Sequence, residues 1–207
     1  MEKYTVAEIK KHLLAGTFPA YAPLGVSAEI LGLTKSGLLR RAETETSRLR
    51  VISITSEMGT SWTGVTVESL AKEVDYQENH RARTTKAAFD LLHELVMTGE
   101  TREYGEFMEA IGLAWRNPIH RKLTGAILGR ISTVAYRRHG LLPSVLVVSK
   151  KTEKPSPAFF RFARDLGVYA GPGTQSENVF FEQTKTDVFA SKKRAGVWKW
   201  REEYGQA

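Results

Sequence analysis

Asn117-Pro-Ile-His-Arg-Lys-Leu-Thr-Gly-Ala-Ile-Leu-Gly-Arg-Ile-Ser-Thr-Val-Ala-Tyr-Arg-Arg-His-Gly140 is the stretch on which the reading of this chain turns. Pro118 falls at a first helical turn, where its missing N–H costs nothing. Gly140 supplies a stop. Between them Leu123, Ile127, Ile131 and Val134 recur at helical spacing and predict one buried stripe. The same stretch holds Arg121, Lys122, Arg130, Arg137 and Arg138, with His120 and His139 and no acid. A long helix that is apolar on one side and cationic on the other is suited to a polyanion. The plainer alternative is that Arg130 and Arg137 lie on different faces and only solvate the helix.

Upstream, Tyr104 to Ile111 reads as a short helix ended by Gly112. Downstream, Pro143 leads into a predicted strand over 144–149. A basic turn over 150–157 follows, carrying Lys150, Lys151 and Lys154. Helix, turn, basic helix, strand and cationic loop together make a winged-helix outline, with the loop as the wing.

The rest of the chain reads as mainly helical α+β with a few short strands. Helices are expected over 5–15, from an N-cap at Ser27 to Leu31, from Thr34 to Arg41, and from Val67 to Val74. Further helices are expected from Lys86 to Met97 and over 157–166. A strand is expected over 48–55, with Gly59 and Gly64 bounding the loop after it. Residues 77–86 read as a loop or the start of the next helix. Residues 170–178 read as a loop and 179–189 as strand or helix. A division near 98–102 would give an N-terminal helical domain (1–98) and a basic winged-helix-like domain (99–190). A basic tail, 191–207, carries Trp198 and Trp200.

A second helix-turn-helix candidate is Ser27-Ala-Glu-Ile-Leu-Gly-Leu-Thr-Lys-Ser-Gly-Leu-Leu-Arg-Arg41. Ala28 is small where two helices would touch, and Gly32 suits a turn that needs positive φ. The second helix would present Thr34, Lys35, Ser36, Arg40 and Arg41 to phosphates and base edges. A glycine-turned hairpin formed for packing alone explains the pattern as well. A weak internal echo relates Val67–Tyr76 to Tyr104–Leu113, read either as tandem units or as two generic amphipathic helices.

Composition bounds the function. The 207 residues include 30 Lys+Arg, 23 Asp+Glu and no cysteine, for a net charge of +7. Without cysteine there is no disulfide, thiol nucleophile, Cys-based zinc site or iron–sulfur cluster. Residues 115–164 hold eleven basic side chains and one acid, Glu153, so this segment alone exceeds the total excess. An ordinary solvated face mixes both signs. The first residues lack the apolar core of a signal peptide, and no apolar run has spanning length. A cytoplasmic protein with no membrane partner is therefore expected.

No catalytic signature stands out. The five histidines show no compact metal-ligand spacing, and neither a phosphate loop nor a nucleophile elbow occurs. The loose carboxylate candidates are Asp75 with Glu78, Glu182 and Asp187 with Lys185, and Asp90 with Glu94. Neither cofactor, metal nor catalytic residue is assigned. Phe159, Phe160 and Phe162 read as core, with base stacking as the alternative.

The pattern Tyr-Gly-Glu-x-x-x-x-Ile-Gly (104–112), the Arg-led run over 121–130 and Leu-Leu-Pro-Ser-Val-Leu-Val-Val (141–148) together resemble the DNA-binding half of the alkyltransferase-like family. The resemblance implies a DNA-contacting scaffold. It excludes alkyl transfer, because Pro143-Ser144-Val145 stands where that family has its reactive cysteine and histidine. Residues 142–160 also resemble prophage- and restriction-associated bacterial proteins. The expectation is a DNA-binding protein of a bacterial or phage system, acting on duplex more readily than single strands. The alternatives are a restriction-type nuclease or an adaptor for an acidic protein, and a homodimer is left open.

Overall fold

A computed structural model of the chain describes residues 2–5, 15, 20–44, 47–55, 59–171, 173–194, 196–199 and 204. The fold is mainly helical α+β. It divides into two compact units, 1–80 and 81–207, and the expected division at 98–102 falls inside the second.

The first unit is built on a four-stranded sheet. Its strands are β1 (Glu2–Thr5), β2 (Tyr21–Pro23), β3 (Val51–Thr55) and β4 (Ser61–Thr66), in spatial order β1-β3-β4-β2. β1 runs parallel to β3, and the other pairs are antiparallel. The expected strand over 48–55 starts later, at Val51. β4 occupies the place of the expected loop, and Gly64 lies within it. That glycine answers a packing demand: a Cβ there would meet Tyr21 Cδ2 at 2.5 Å and the Ala22 carbonyl at 2.7 Å. A glycine inside a strand often marks such close approach.

Helices α1 (Leu24–Ile30) and α2 (Lys35–Ala42) sit on this sheet. Val51 and Val65 join Ala28, Leu31, Leu38, Leu49 and Leu70 in one core. α1 begins earlier than expected, after Pro23. Ser27 is therefore no cap but a buried residue inside the helix, its hydroxyl donating to the Ala22 and Pro23 carbonyls. Thr34 is the true cap of α2 and accepts from the Gly37 amide. The helix expected over 5–15 lies outside the described residues, apart from Thr5, which ends β1, and Ala15.

The two helices expected at 67–74 and 86–97 are one, α3 (Val67–Thr98). The polar stretch between them holds neither Gly nor Pro, so nothing interrupts helical geometry. The pairs Glu68–Lys72 and Lys86–Asp90 add i,i+4 support. Lys72 holds the Glu68 carboxyl below its ordinary range, first by hydrogen bond and then by charge.

The second unit packs the later part of α3 with β5 (Arg102–Glu103), α4 (Tyr104–Ala110) and α5 (Pro118–His139). A 3-10 turn (Pro143–Leu146), β6 (Val147–Val148), α6 (Pro157–Asp165) and α7 (Gly173–Ala190) complete it. Asn117 caps α5 by accepting from the Ile119 amide, and Gly140 closes it at φ 71°. Its buried stripe holds Ile127 and Ile131 as expected. Leu128, Ala135, Thr124 and Ser132 complete it, while Leu123 and Val134 are only half-buried. The buried Ser132 hydroxyl donates to Ser144 Oγ at 2.7 Å and accepts from the Ser144 amide at 3.0 Å. This ties α5 to the 3-10 turn.

Most of the strand expected over 144–149 is that 3-10 turn. Only Val147 and Val148 are extended, and they pair parallel with Arg102 and Glu103. The expected wing is thus a tight turn rather than an antiparallel ribbon. α7 takes in residues 173–178 of the expected loop at 170–178 and the ambiguous segment after it. Phe159 and Phe160 are buried and Phe162 packs beside them, as the core reading expects. Trp198 stacks on His93 and contacts Phe89, and Tyr204 is buried against Phe89. Trp200 lies outside the described residues.

The internal echo also falls elsewhere. Val67–Tyr76 is the start of a long continuous helix. The true counterpart of Tyr104-Gly-Glu-Phe-Met-Glu-Ala-Ile-Gly-Leu113 is Leu24-Gly-Val-Ser-Ala-Glu-Ile-Leu-Gly-Leu33. Gly32 and Gly112 both close their helices at positive φ. The Gly32 and Gly112 amides donate to Glu29 and Glu109 at 3.0 Å, and those of Leu33 and Leu113 to Ala28 and Met108 at 2.8 Å. Each unit thus carries the same strand, short helix and glycine turn, followed by a capped second helix.

Candidate nucleic-acid interface

The charge divides unequally between the units. Residues 1–80 carry nine basic and ten acidic side chains, and residues 81–207 carry twenty-one and thirteen. The cationic excess therefore belongs to the second unit.

In the first unit Thr34, Lys35, Ser36 and Arg40 are exposed. Thr34 and Ser36 hydrogen-bond each other through their hydroxyls at 3.2 Å. The Lys35 chain lies over Gly25, where a Cβ would stand 3.2 Å from Lys35 Cε. Arg41 departs from the expected role of a phosphate ligand. It pairs with Glu73, whose side chain is only 2% exposed. Gln77 Nε2 donates to the same carboxylate oxygen at 3.2 Å. A buried carboxylate needs a partner, and Arg41 is consumed in supplying it.

In the second unit, α5 places Lys122, Arg130 and Arg137 within about 80° of arc, since residues seven apart fall nearly in line. They share one face, against the alternative of different faces. Lys122 and Arg137 are exposed and Arg130 half-buried. Gly125, Ala126, Gly129 and Thr133 lie among them, so no bulky side chain stands between the cations. Arg138 is exposed one position round the helix.

Arg121 leaves this face. Its Nη1 donates to the Trp115 carbonyl at 2.9 Å, and its guanidinium lies 5.5 Å from the Trp115 ring centroid. The Trp115 ring meets Tyr104 edge-on, with centroids 5.6 Å apart. The Tyr104 hydroxyl donates to the Arg121 carbonyl at 3.1 Å. Burial pushes the Tyr104 phenol up, so it remains a donor through neutral pH. These residues wall a cleft of about 660 Å³, within the usual size of a ligand pocket. Glu103, Glu106, Glu109, Ser149, Lys150, Lys151 and Ser156 also line it. Lys150 Nζ stands 3.4 Å from Glu103.

The turn carrying these lysines is tightly made. The Ser149 amide donates to the Lys154 carbonyl, and the Glu153 amide to the Ser149 carbonyl, both at 2.8 Å. Lys150 and Lys151 are exposed. Lys154 is not a free cation: its Nζ donates to Asn178 Oδ1 at 2.8 Å and anchors the turn to α7. Glu153 holds φ 53°, where an L side chain is strained. Glu153→Gly is expected to stabilise the protein by about 0.5–1 kcal/mol, the relief of strain exceeding the added unfolded-state entropy. A urea titration with an unchanged or lower midpoint would show the turn to be unstrained.

Among the described residues no group of three or more His, Asp or Glu side chains is placed to hold a metal ion. Glu182 pairs with Lys185 at 2.7 Å along α7, and Asp187 accepts from Gln183. Sequence reasoning missed Trp115, Tyr104 and the glutamates of α4 as neighbours of the basic helix. The available signal was Trp115 itself, a large aromatic in a short polar connection. Among the described residues no helix is long and apolar enough to cross a membrane. No family model matches the sequence, and neither the curated proteins nor the solved structures give a match.

Proposed function

We infer that this protein binds DNA through its second unit. The duplex is held by the exposed face of α5 and by Lys150 and Lys151 on the adjoining turn. One observation carries the reading: Lys122, Arg130 and Arg137 share one face of a 22-residue helix that contains no acid. Phosphates neutralised by such a face release condensed counterions, so binding is driven by salt-sensitive contacts. The small residues between the cations let a sugar–phosphate backbone approach the helix closely. The first unit, with its near-balanced charge, contributes less to this electrostatic term. The resemblance of residues 104–148 to an alkyltransferase-like DNA-binding half supports the same reading. The bacterial or phage setting rests on the resemblance of 142–160 alone.

Fluorescence anisotropy with a random-sequence duplex tests it. About four phosphate contacts predict roughly a hundredfold loss of affinity between 50 and 200 mM salt. Absence of binding at 50 mM salt would refute the reading and favour an acidic protein partner. Cleavage confined to reactions containing Mg²⁺ would replace it with the nuclease alternative.

A further inference from the structure

The cleft beside α5 differs from the cationic face in kind. A groove built only for phosphate has one sign of charge. Here Glu103, Glu106 and Glu109 share the lining with Arg121, Lys150 and Lys151. Glu103 is matched by Lys150. Glu106 and Glu109 stand three apart on α4, on one helical face, and both are exposed. They offer hydrogen-bond acceptors only. The cations of the same lining offer donors, and Trp115, 46% exposed, offers an aromatic surface.

We propose that this cleft takes an unpaired nucleobase bearing an exocyclic amino group, with that group turned toward Glu106 and Glu109. The proposal rests on the DNA-binding reading and names the chemistry that the same unit selects. An aromatic ring that is half in water is a stacking surface for a base, and stacking contributes without regard to base identity. The carboxylates supply the discrimination. Cytosine, adenine and guanine each present an amino donor beside a ring acceptor, and a carboxylate accepts from such a group. Thymine has no amino donor, and its one ring N–H is flanked by two carbonyl oxygens that a carboxylate repels. The strand phosphates are left to the exposed cations Lys150, Lys151 and Lys122. Carboxylates and cations in one lining therefore set the orientation of the nucleotide as well as its class.

The same chemistry could come from a free nucleotide, so the test separates the sources. The full chain is titrated with duplexes that differ only in one unpaired position, C, A, G or T, at fixed salt. C, A and G are expected to bind about tenfold tighter than T. Glu106→Ala with Glu109→Ala is expected to erase that preference while leaving affinity for fully paired duplex intact or slightly higher. Both positions are exposed on a helix, so circular dichroism is expected to be unchanged. Equal affinity for all four bases, or a preference that survives the double substitution, would overturn the proposal. Displacement of the unpaired-C duplex by micromolar cytidine monophosphate would overturn the strand assignment in favour of a free nucleotide. Loss of salt-sensitive binding to every duplex is a different result, and it would remove the DNA-binding reading itself.

Discussion

Lys122→Glu with Arg137→Glu is expected to weaken duplex binding by about a hundredfold at 100 mM salt. Both side chains are exposed on the acid-free face of α5. Neither has an ion-pair partner among the described residues, so reversing them breaks no ion pair there. Each hydrogen bond to a charged phosphate is worth about 1.5–3 kcal/mol, and two are lost. At about 1.4 kcal/mol per decade the lower bound is already two decades. The salt slope should fall by about 2, one unit of counterion release per lost contact. The thermal midpoint should stay within a degree or two, because surface substitutions of this kind rarely move stability by more than about 0.5 kcal/mol. An unchanged affinity with an unchanged slope would take α5 out of the interface. Arg121→Glu is a poorer test. Arg121 is bonded to the Trp115 carbonyl and lies over its ring, so its loss would disturb the cleft as well.

The second large effect concerns stability. Arg41→Ala is expected to destabilise the first unit by about 2–3 kcal/mol. Glu73, on α3, is buried and has Arg41 of α2 as its charge partner. Breaking a buried pair by removing one member costs about 3–5 kcal/mol, because the other charge is stranded. Arg41 is itself 39% exposed, so water reaches the vacated position and the cost falls below that range. Glu73→Gln alone should cost less, since the amide still bonds to Gln77 and the Arg41 cation left behind reaches water. In the double variant most of the Arg41→Ala penalty should vanish, a coupling of about 1–2 kcal/mol. Amide hydrogen exchange in β3 and β4 reads the first unit separately from the second. Additive effects of the two substitutions would show that the pair is not a unit.

Several elements are legible from neighbouring residues alone. The capped helix from Asn117 to Gly140 needs only its Pro, its Gly and its apolar spacing. The turn at Gly32 and the cap at Thr34 are readable for the same reason, because each depends on residues within one helical turn. Local chemistry misleads where a residue answers a distant demand. Gly64 resembles a loop glycine, yet it is a strand residue beneath the Tyr21 ring. Ser27 resembles a cap, yet it is buried inside α1. Residues 77–86 are polar enough for a loop, yet they continue a helix because nothing in them breaks one. The repeat relating Leu24–Leu33 to Tyr104–Leu113 is written in the chain, but the competing echo at 67–76 matches only general amphipathicity.

Composition and periodicities no longer than a few residues establish the helical class, the absence of thiol chemistry and the crowding of positive charge into residues 115–164. Which of the chain's cations are available is settled by tertiary packing. Arg41 is spent on Glu73, Lys154 on Asn178, and Arg121 on Trp115, while Lys122 and Arg137 face outward. Packing also brings Glu106 and Glu109 into one cleft with Lys150 and Lys151, across a separation of about forty residues in the chain. A charge acquires its role from the partner it meets. For these residues that neighbour is set by how helices pack, which no local spacing records.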